Sequence, residues 1–334
     1  MRNFQLACRK PSKVLVGIAL ISTMLAGASA SAETAQSYPS RPIKIVVALS
    51  PGGPTDNLAR VVGHHMSKAW GQPVIVENRP GGGQVIGTGA VAKADPDGYT
   101  LLMTTNVFPV NTFIFDKLPY DPEKDFKPVS LVAMSSLMLV VNPELKVSTL
   151  KELVDYAKQN PGKLNFGSSG PSSSLRLAME LLMSETGIQM VHIPFKGTGP
   201  LTTALLGNVA QLAIVSVPST KGHIEAGKLR AIAITNDKRS PNFPQVPTMI
   251  ESGLDGYVAG SWFGLLAPAG TPDAIVDKLS REVSRIINLP EVKQSMAAVE
   301  EIGIGSTPQE FARFIEEEER KWGAIVKKID LKAN

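Results

Sequence analysis

The chain has 334 residues, with 34 Lys and Arg against 30 Asp and Glu, four histidines and one cysteine. Four of the basic residues (Arg2, Arg9, Lys10, Lys13) and the cysteine, Cys8, fall in the first thirteen residues, so the remainder balances at 30 charges of each sign. Once that segment is set aside, the composition excludes a basic field for nucleic acid or an acidic membrane, a disulfide framework and a cysteine nucleophile; the length allows a large core and two domains.

The positive start is followed by an apolar run at 14–26, too short and poorly flanked for a stable membrane span, and by Ala28-Ser29-Ala30 and Ala30-Ser31-Ala32, both small-residue cleavage patterns. Residues 1–32 therefore read as a signal peptide, with cleavage after Ala30 or Ala32. Cys8 precedes the apolar run, so no lipid-attachment cysteine follows it. The expected product is an exported, soluble chain held by its core alone.

The folded part opens with an extended lead-in, YPSRP at 38–42, and the apolar run IKIVVAL at 43–49 predicts a buried strand. A turn rich in Gly and Pro, 48–56 (ALSPGGPTD), leads into a helix at 55–69 whose face is Leu58, Val61, Val62, His65 and Ala69, with Thr55 as its cap and Gly71 as its stop. Pro51 and Pro54 stiffen this turn, while Gly52 and Gly53 leave backbone N–H groups reachable beside a helix N-terminus, which favours a nearby negative group by about 0.3–1 kcal/mol. Such a turn also simply reverses the chain, and both readings stand at this point. A strand at 74–76, a second Gly-rich turn (ENRPGGG, 77–83), a helix at 84–93, the turn Asp95-Pro96-Asp97-Gly98 and a strand at 99–104 complete parallel βαβ units. The turns at 50–56 and 78–83, joined by Thr105-Asn106-Val107, are expected at one C-terminal sheet edge, where ligands of open α/β sheets bind.

Residues 128–142 are almost continuously apolar around Ser135-Ser136 and read as two strands with a crossing between them. A second α/β series follows: a capping box at Thr149–Glu152 with a helix stopped by Asn160-Pro161-Gly162, a strand at 164–166, the turn GSSGPSSS at 167–174, a helix at 174–186, a strand at 190–193, a turn at 195–199, a helix at 200–206, a strand at 210–215, a helix at 218–226 and a strand at 230–234. The apolar run 257–267 returns the chain to the first domain. Two helices finish it, one capped by Thr271-Pro272 and one by a capping box at Thr307–Glu310, both read as clamps on the first domain; a solvated run, 316–320, interrupts the second. The lobes are expected at 33–135 plus 258–334 and at 136–257. Two α/β lobes joined by two crossings, with Gly/Ser loops facing each other, form the plan of a hinged binding protein.

Catalysis finds little support. GSSGPSSS is not G-x-S-x-G, no histidine pair has a metal-ligand spacing, and GGGQVIGTG at 81–89 lacks G-x-G-x-x-G after a strand, so no cofactor, metal or catalytic group is expected. Binding fares better. Ser168, Ser169, Ser172 and Ser173 with Gly167 and Gly170 offer hydroxyls and N–H donors at a helix start, and a carboxylate held from both lobes makes charge-assisted bonds roughly twice as strong as neutral ones. Arg176 and Lys196 are candidate cleft cations or plain surface residues.

The sequence resembles, nearly end to end after the leader, the periplasmic substrate-binding receptors of tripartite tricarboxylate transporters, the Bug family. The resemblance rests on YPSRPIKIVV with PGGPTDNLAR, GQPVIVENRPGGG, ADPDGYTLL, LPYDPEKDFKPVS, NPGKLNFGSSG, HIPFKGTGP, AGKLRAIAIT, VPTMIESG and LLAPAGTP, in that order. It implies an α/β fold of two Rossmann-like lobes joined by two crossing segments, like type II periplasmic binding proteins. It further implies a small carboxylate ligand, inner-membrane transporter subunits as partners, and a monomer. Carried over by position, it assigns ligand binding to Pro51, Gly52, Gly53 and Asp56, to Ser168, Ser169, Gly170 and Ser173, and to Lys196 and Gly197; Thr105 and Asn106 join them from the sheet edge. The sequence departs from the family where Arg176 replaces a common histidine, Val215 a common aspartate, and Leu49-Ser50 a Phe or Pro. An added cation and a lost acceptor favour an acidic ligand over an amino acid. A receptor for a membrane signalling partner and a secreted enzyme are the alternatives.

Overall fold

The structure is a computed structural model that describes residues 36–171 and 173–328; the expected leader and Ser172 lie outside these residues. The first series is β1 (Ile43–Val47), α1 (Pro54–Trp70), β2 (Val74–Asn78), α2 (Val85–Ala92) and β3 (Thr100–Thr105), with β1 paired in parallel to both β2 and β3. Gly71 closes α1 in a left-handed conformation, its N–H bonded to Ser67 O at 3.0 Å. Thr55 is not the cap. Gly53 is, with Pro54 at the first helical position, where a missing N–H costs nothing. Helix α3 (Val107–Ile114) follows at once on Asn106.

Residues 126–141 form one strand, β4 (Phe126–Val141), rather than the expected two. Ser135-Ser136 does not break it. Up to Ser136 the strand pairs with β9 (Gly260–Pro268), and from Leu137 onward with β7 (Leu212–Ser216) and β8 (Arg230–Ile234). A serine pair carries no turn geometry of its own, so the ladder runs through while the partners change. The second series is α4 (Leu150–Gln159), β5 (Asn165–Ser168), α5 (Ser174–Thr186), β6 (Val191–Pro194), α6 (Thr198–Leu206), β7, a 3₁₀ turn (Val217–Ser219), α7 (Lys221–Glu225) and β8; after β9 come α8 (Asp273–Ile287), α9 (Pro290–Ala298), β10 (Glu301–Gly303) and α10 (Pro308–Lys328). The strand order is β2-β1-β3-β9-β4-β7-β5-β6, with β8 and β10 also on β4. This is a two-lobed α/β architecture of the periplasmic-binding-protein type, its lobes sharing β4.

Each half has its own core. In the first, α1, α8 and α9 cover one sheet face, burying Ile43, Ile45, Leu101, Phe263 and Leu265, while Val46, Leu102, Trp262, Leu266 and Phe311 pack on the other. Gly264 faces this second cluster so closely that a Cβ would lie 2.0 Å from the Phe311 ring. The second core gathers Leu139, Phe166, Leu177, Leu182, Ile214 and Ile234.

The expected capping boxes are present. Thr149 Oγ1 accepts from Glu152 N, and Thr307 and Glu310 bond each other's backbone N–H. Thr271 instead donates its hydroxyl to Pro268 O, leaving Pro272 as the cap of α8. Helix α10 does more than clamp the first lobe, because 21 residues reach about 31 Å. Phe311 packs in the first lobe, whereas Trp322 and Val326 join the second core through Val110 and Ile114 of α3. Glu318 is half-buried rather than fully solvated. Its Oε2 accepts from the indole N–H of Trp262 (3.0 Å) and Trp322 (2.9 Å) and from Asn106 Nδ2 (3.3 Å).

Glu318→Ala strands two indole donors whose rings are 1% exposed. Each unsatisfied buried donor costs about 1–3 kcal/mol, so urea unfolding is expected to show a loss of about 2–6 kcal/mol. A loss under about 0.5 kcal/mol contradicts this account of α10.

Candidate functional site

Strand direction brings the two sets of loops together. β1 and β3 run parallel, β9 opposes β3, β4 opposes β9, and β7 opposes β4 while running parallel to β5. The first lobe's strands therefore run along β4 and the second lobe's run against it, so their C-terminal ends point at each other. Thr105 pairs with Phe263, which pairs with Ala133, whereas Ser216 pairs with Leu137. Along the strand direction the two edges are thus four residues apart, about 13 Å. Both edges then dock on one stretch of β9, 260–262. Asn106 Nδ2 donates to Gly260 O (3.0 Å) and Asn106 Oδ1 accepts from Trp262 N (2.9 Å), while Ser174 Oγ at the start of α5 bonds Ser261 Oγ (2.8 Å).

In the first lobe Pro51 and Gly52 are exposed and Gly53 is half-buried. Gly52 has φ +85°, a conformation that side chains resist. Asp56 does not face outward. It is 3% exposed and accepts from Gly52 N (2.9 Å), from Arg60 Nε and Nη2 (3.0 and 2.9 Å) and from Asn78 Nδ2 (2.9 Å), and Asn78 also holds Leu49 O at 3.1 Å. Burial alone raises its pKa, but the hydrogen bonds from Arg60, Gly52 and Asn78 and the Arg60 charge outweigh it, so Asp56 lies below the ordinary aspartate value. Its carboxylate folds the loop, leaving N–H groups of the α1 N-terminus for another anion. Thr105 Oγ1 is 7% exposed and accepts from Gln84 Nε2 (2.9 Å), and Asn106, 1% exposed, is engaged with β9 and Glu318.

The second lobe repeats this pattern. Ser168 Oγ is buried, donates to Gly170 O (2.8 Å) and meets His192 Nε2 at 2.6 Å, with the imidazole stacked on Phe166. Ser173 caps α5, bonding Arg176 N (3.3 Å) and Gly170 O (2.9 Å). Ser169 is half-buried in the loop and its carbonyl accepts from Gly197 N at 3.2 Å, which ties the adjoining turn to it; Lys196 beside that turn is exposed. Arg176 is half-buried, paired with Glu180 (3.2 Å) and bonded to Pro171 O (2.9 Å). Val215 departs from expectation. It pairs with Met138 and is 0% exposed inside the second core, because β7 is an interior strand covered on both faces.

Sequence reasoning missed the residues that shape the loops. Asn78 was visible only as part of ENRPGGG, His192 only as the start of HIPFKGTGP and Ser174 only as the last serine of GSSGPSSS, and Ser261 carried no local signal. Two surface grooves lie away from the loops, one of about 670 Å³ lined by residues including Thr149, Lys151, Arg230 and Glu251, the other of about 520 Å³ lined by residues including Leu131, Ser306, Arg313 and Phe314.

Residues 58–331 match the family model described as the tripartite tricarboxylate transporter family receptor. The chain belongs to this receptor family. It is 38% identical over 318 residues to protein BugT of Bordetella pertussis, covering 94% of this chain and 98% of BugT. Among solved receptors and their relatives, R. palustris Rpa4515 with adipate superposes with a TM-score of 0.84 at 33% identity, covering 88% of this chain and 99% of that one. MatC from Rhodopseudomonas palustris with bound malate gives 0.81 at 32% identity, covering 86% and 100%.

Burial, and next the Arg176 charge, push His192 down from 6.5 to about 4, so the receptor holds it neutral. Between those values the unfolded chain binds a proton that the folded one does not. The stabilisation is therefore complete above pH 6.5 and falls as pH drops toward about 4. Urea midpoints measured across that range are expected to decline for the native chain and to flatten in His192→Gln; identical slopes contradict the assignment.

Proposed function

We propose that this receptor captures a small organic carboxylate in the cleft between its lobes and delivers it, as a periplasmic monomer, to an inner-membrane tripartite tricarboxylate transporter. The observation that carries the reading is the docking of Asn106 and Ser174 on Gly260, Ser261 and Trp262, which supports one site fed by loops of both lobes. In this reading the lobes are 33–135 plus 258–334 and 136–257. Pro51, Gly52 and Gly53 form one jaw and Ser168, Ser169, Gly170 and Ser173 the other, with backbone N–H groups at the starts of α1 and α5 as the anion donors. The side chains of Asp56, Asn78, His192 and Arg176 hold those donors in place, and Lys196 with Gly197 lies at the rim. The adipate and malate bound to two relatives support a carboxylate ligand. The family and the leader support the periplasm.

A thermal-shift screen of mono-, di- and tricarboxylates, followed by recovery of the bound compound, tests the reading. A ligand at about 100 times its Kd adds about 2.7 kcal/mol to stability. At least one carboxylate is expected to do so and to be recovered unchanged, and Ser169→Asp, which sets a negative charge in the jaw, is expected to abolish the shift. A turnover product points to an enzyme, and an unaffected Ser169→Asp variant removes the second jaw from the site. Loss of ligand uptake when the adjoining membrane subunits are deleted separates a transporter partner from a signalling one.

A further inference from the structure

β10 brings to the hinge a carboxyl group that the two-jaw reading does not use. Glu301 pairs with Ser135 of β4, and Ser135 pairs with Ser261 of β9. Directly opposed residues of antiparallel strands project to the same sheet face, so these three side chains form a row across the floor of the hinge. Ser261 Oγ meets Ser174 Oγ at the start of α5, which fixes the second lobe's helix N-terminus on that face. The first lobe's α1 covers the same face, because Leu58, Ala59 and Val62 pack with Phe263 and Leu265, which share the side of Ser261 on β9. Gly303, two residues on from Glu301, confirms the facing: a Cβ there would strike Ile287 of α8 and Met296 of α9. Glu301 therefore lies on the face from which both anion-binding helix ends spring.

Glu301 is half-buried, and no hydrogen bond or ion pair to its carboxyl occurs among the described residues. The charged groups on the elements that pack against this face are engaged elsewhere. Glu300 accepts from Ser240 and Asn242, Lys221 of α7 donates to Ala298 O, Arg285 of α8 pairs with Glu282, Arg176 of α5 pairs with Glu180, and Asp56 of α1 is held by Arg60; Glu291 and Lys293 of α9 are exposed, and β4 has no charged side chain at 133–137. A carboxyl in such a place is poised to keep its proton, and burial raises its pKa to about 7.

We propose that Glu301 is a ligand-binding residue that selects dicarboxylates: one carboxylate of the ligand takes the N–H groups of the two jaws, and the other accepts a hydrogen bond from protonated Glu301. Binding then draws a proton from solvent onto the Glu301 carboxylate wherever that group is ionised, and an ionised Glu301 repels the ligand. The inference rests on the carboxylate-receptor reading above and adds the class of ligand.

Calorimetric titration of the mature protein with malonate, succinate, malate and adipate, and with hexanoate as the one-carboxylate match to adipate, tests it between pH 6 and 9 in buffers of different ionisation enthalpy. At least one diacid is expected to bind more tightly than hexanoate, with proton uptake, and to weaken by about tenfold per pH unit above pH 7. Glu301→Gln, which retains a donor, is expected to stay within about threefold of the native affinity at pH 6 and to lose the pH dependence and the proton uptake. Glu301→Ala is expected to weaken diacid binding by about 10–100-fold while leaving hexanoate unchanged. Diacid binding with the same pH profile in native and Glu301→Gln protein overturns the role of Glu301 alone. Tight hexanoate binding with no gain from a second carboxylate overturns the diacid selection. Failure of every carboxylate to bind sinks the receptor reading with it.

Discussion

The fold depends on the uninterrupted ladder of β4. Its 16 residues belong to both lobes, and its partners change at Ser136 and Leu137 from β9 to β7 and β8, all of them antiparallel to it. The antiparallel step at β9 sets β1 and β3 running toward the junction, and the antiparallel step at β7 sets β5 running back toward it from the other side. Backbone hydrogen bonding alone thus places the C-terminal ends of two separate α/β series opposite each other. With strands of this polarity, the Gly/Ser turns have no other edge on which to emerge.

Within that frame the polar side chains act mainly on the loops. Asp56 and Asn78 tie Leu49 and Gly52 in one lobe, and Ser168, Ser173 and Arg176 tie Gly170 and Pro171 in the other. Groups already bonded to the protein are poor ligand donors, but they fix where the neighbouring backbone N–H groups point. A site built this way has most of its ordering cost met before the ligand arrives, which favours affinity for a small, highly charged molecule. In the proposed reading it also grips the common part of a carboxylate rather than its substituent. Selection must then come from groups away from the jaws, and Val215, buried in the second core, is not among them.

The periodic helices were legible in the sequence. The capping boxes of α4 and α10 and the span of α5 at 174–186 depend on residues three or four apart, and the structure reproduces them; the face of α1 matches at Leu58 and Val62, whereas Ala69 is exposed and Ala59 and Met66 are buried in its place. Roles set by distant partners were not legible. Glu318 looks like one member of an acidic surface run until Trp262 approaches from 56 residues away, and Asn106 looks like a free loop amide until it meets β9 across 154 residues. Helix α3 contains Val-Phe-Pro-Val and exposes only Thr112, since residues of both cores pack on it, so its period is hidden. Ser135-Ser136 suggested a break because small polar residues commonly end strands; here they sit where the sheet changes partners. β10 is too short to announce itself, and the position of Glu301 on the hinge floor follows only from its pairing with β4.

The central claim is that one carboxylate is held by both lobes at the junction on β4 and β9. A crystal structure of the protein with a bound carboxylate tests it most directly. The account predicts carboxylate oxygens about 2.7–3.2 Å from backbone N–H groups of both the α1 start at 53–56 and the 168–170 loop. A ligand held by one lobe only, or seated in the groove beside Thr149 and Arg230, contradicts it.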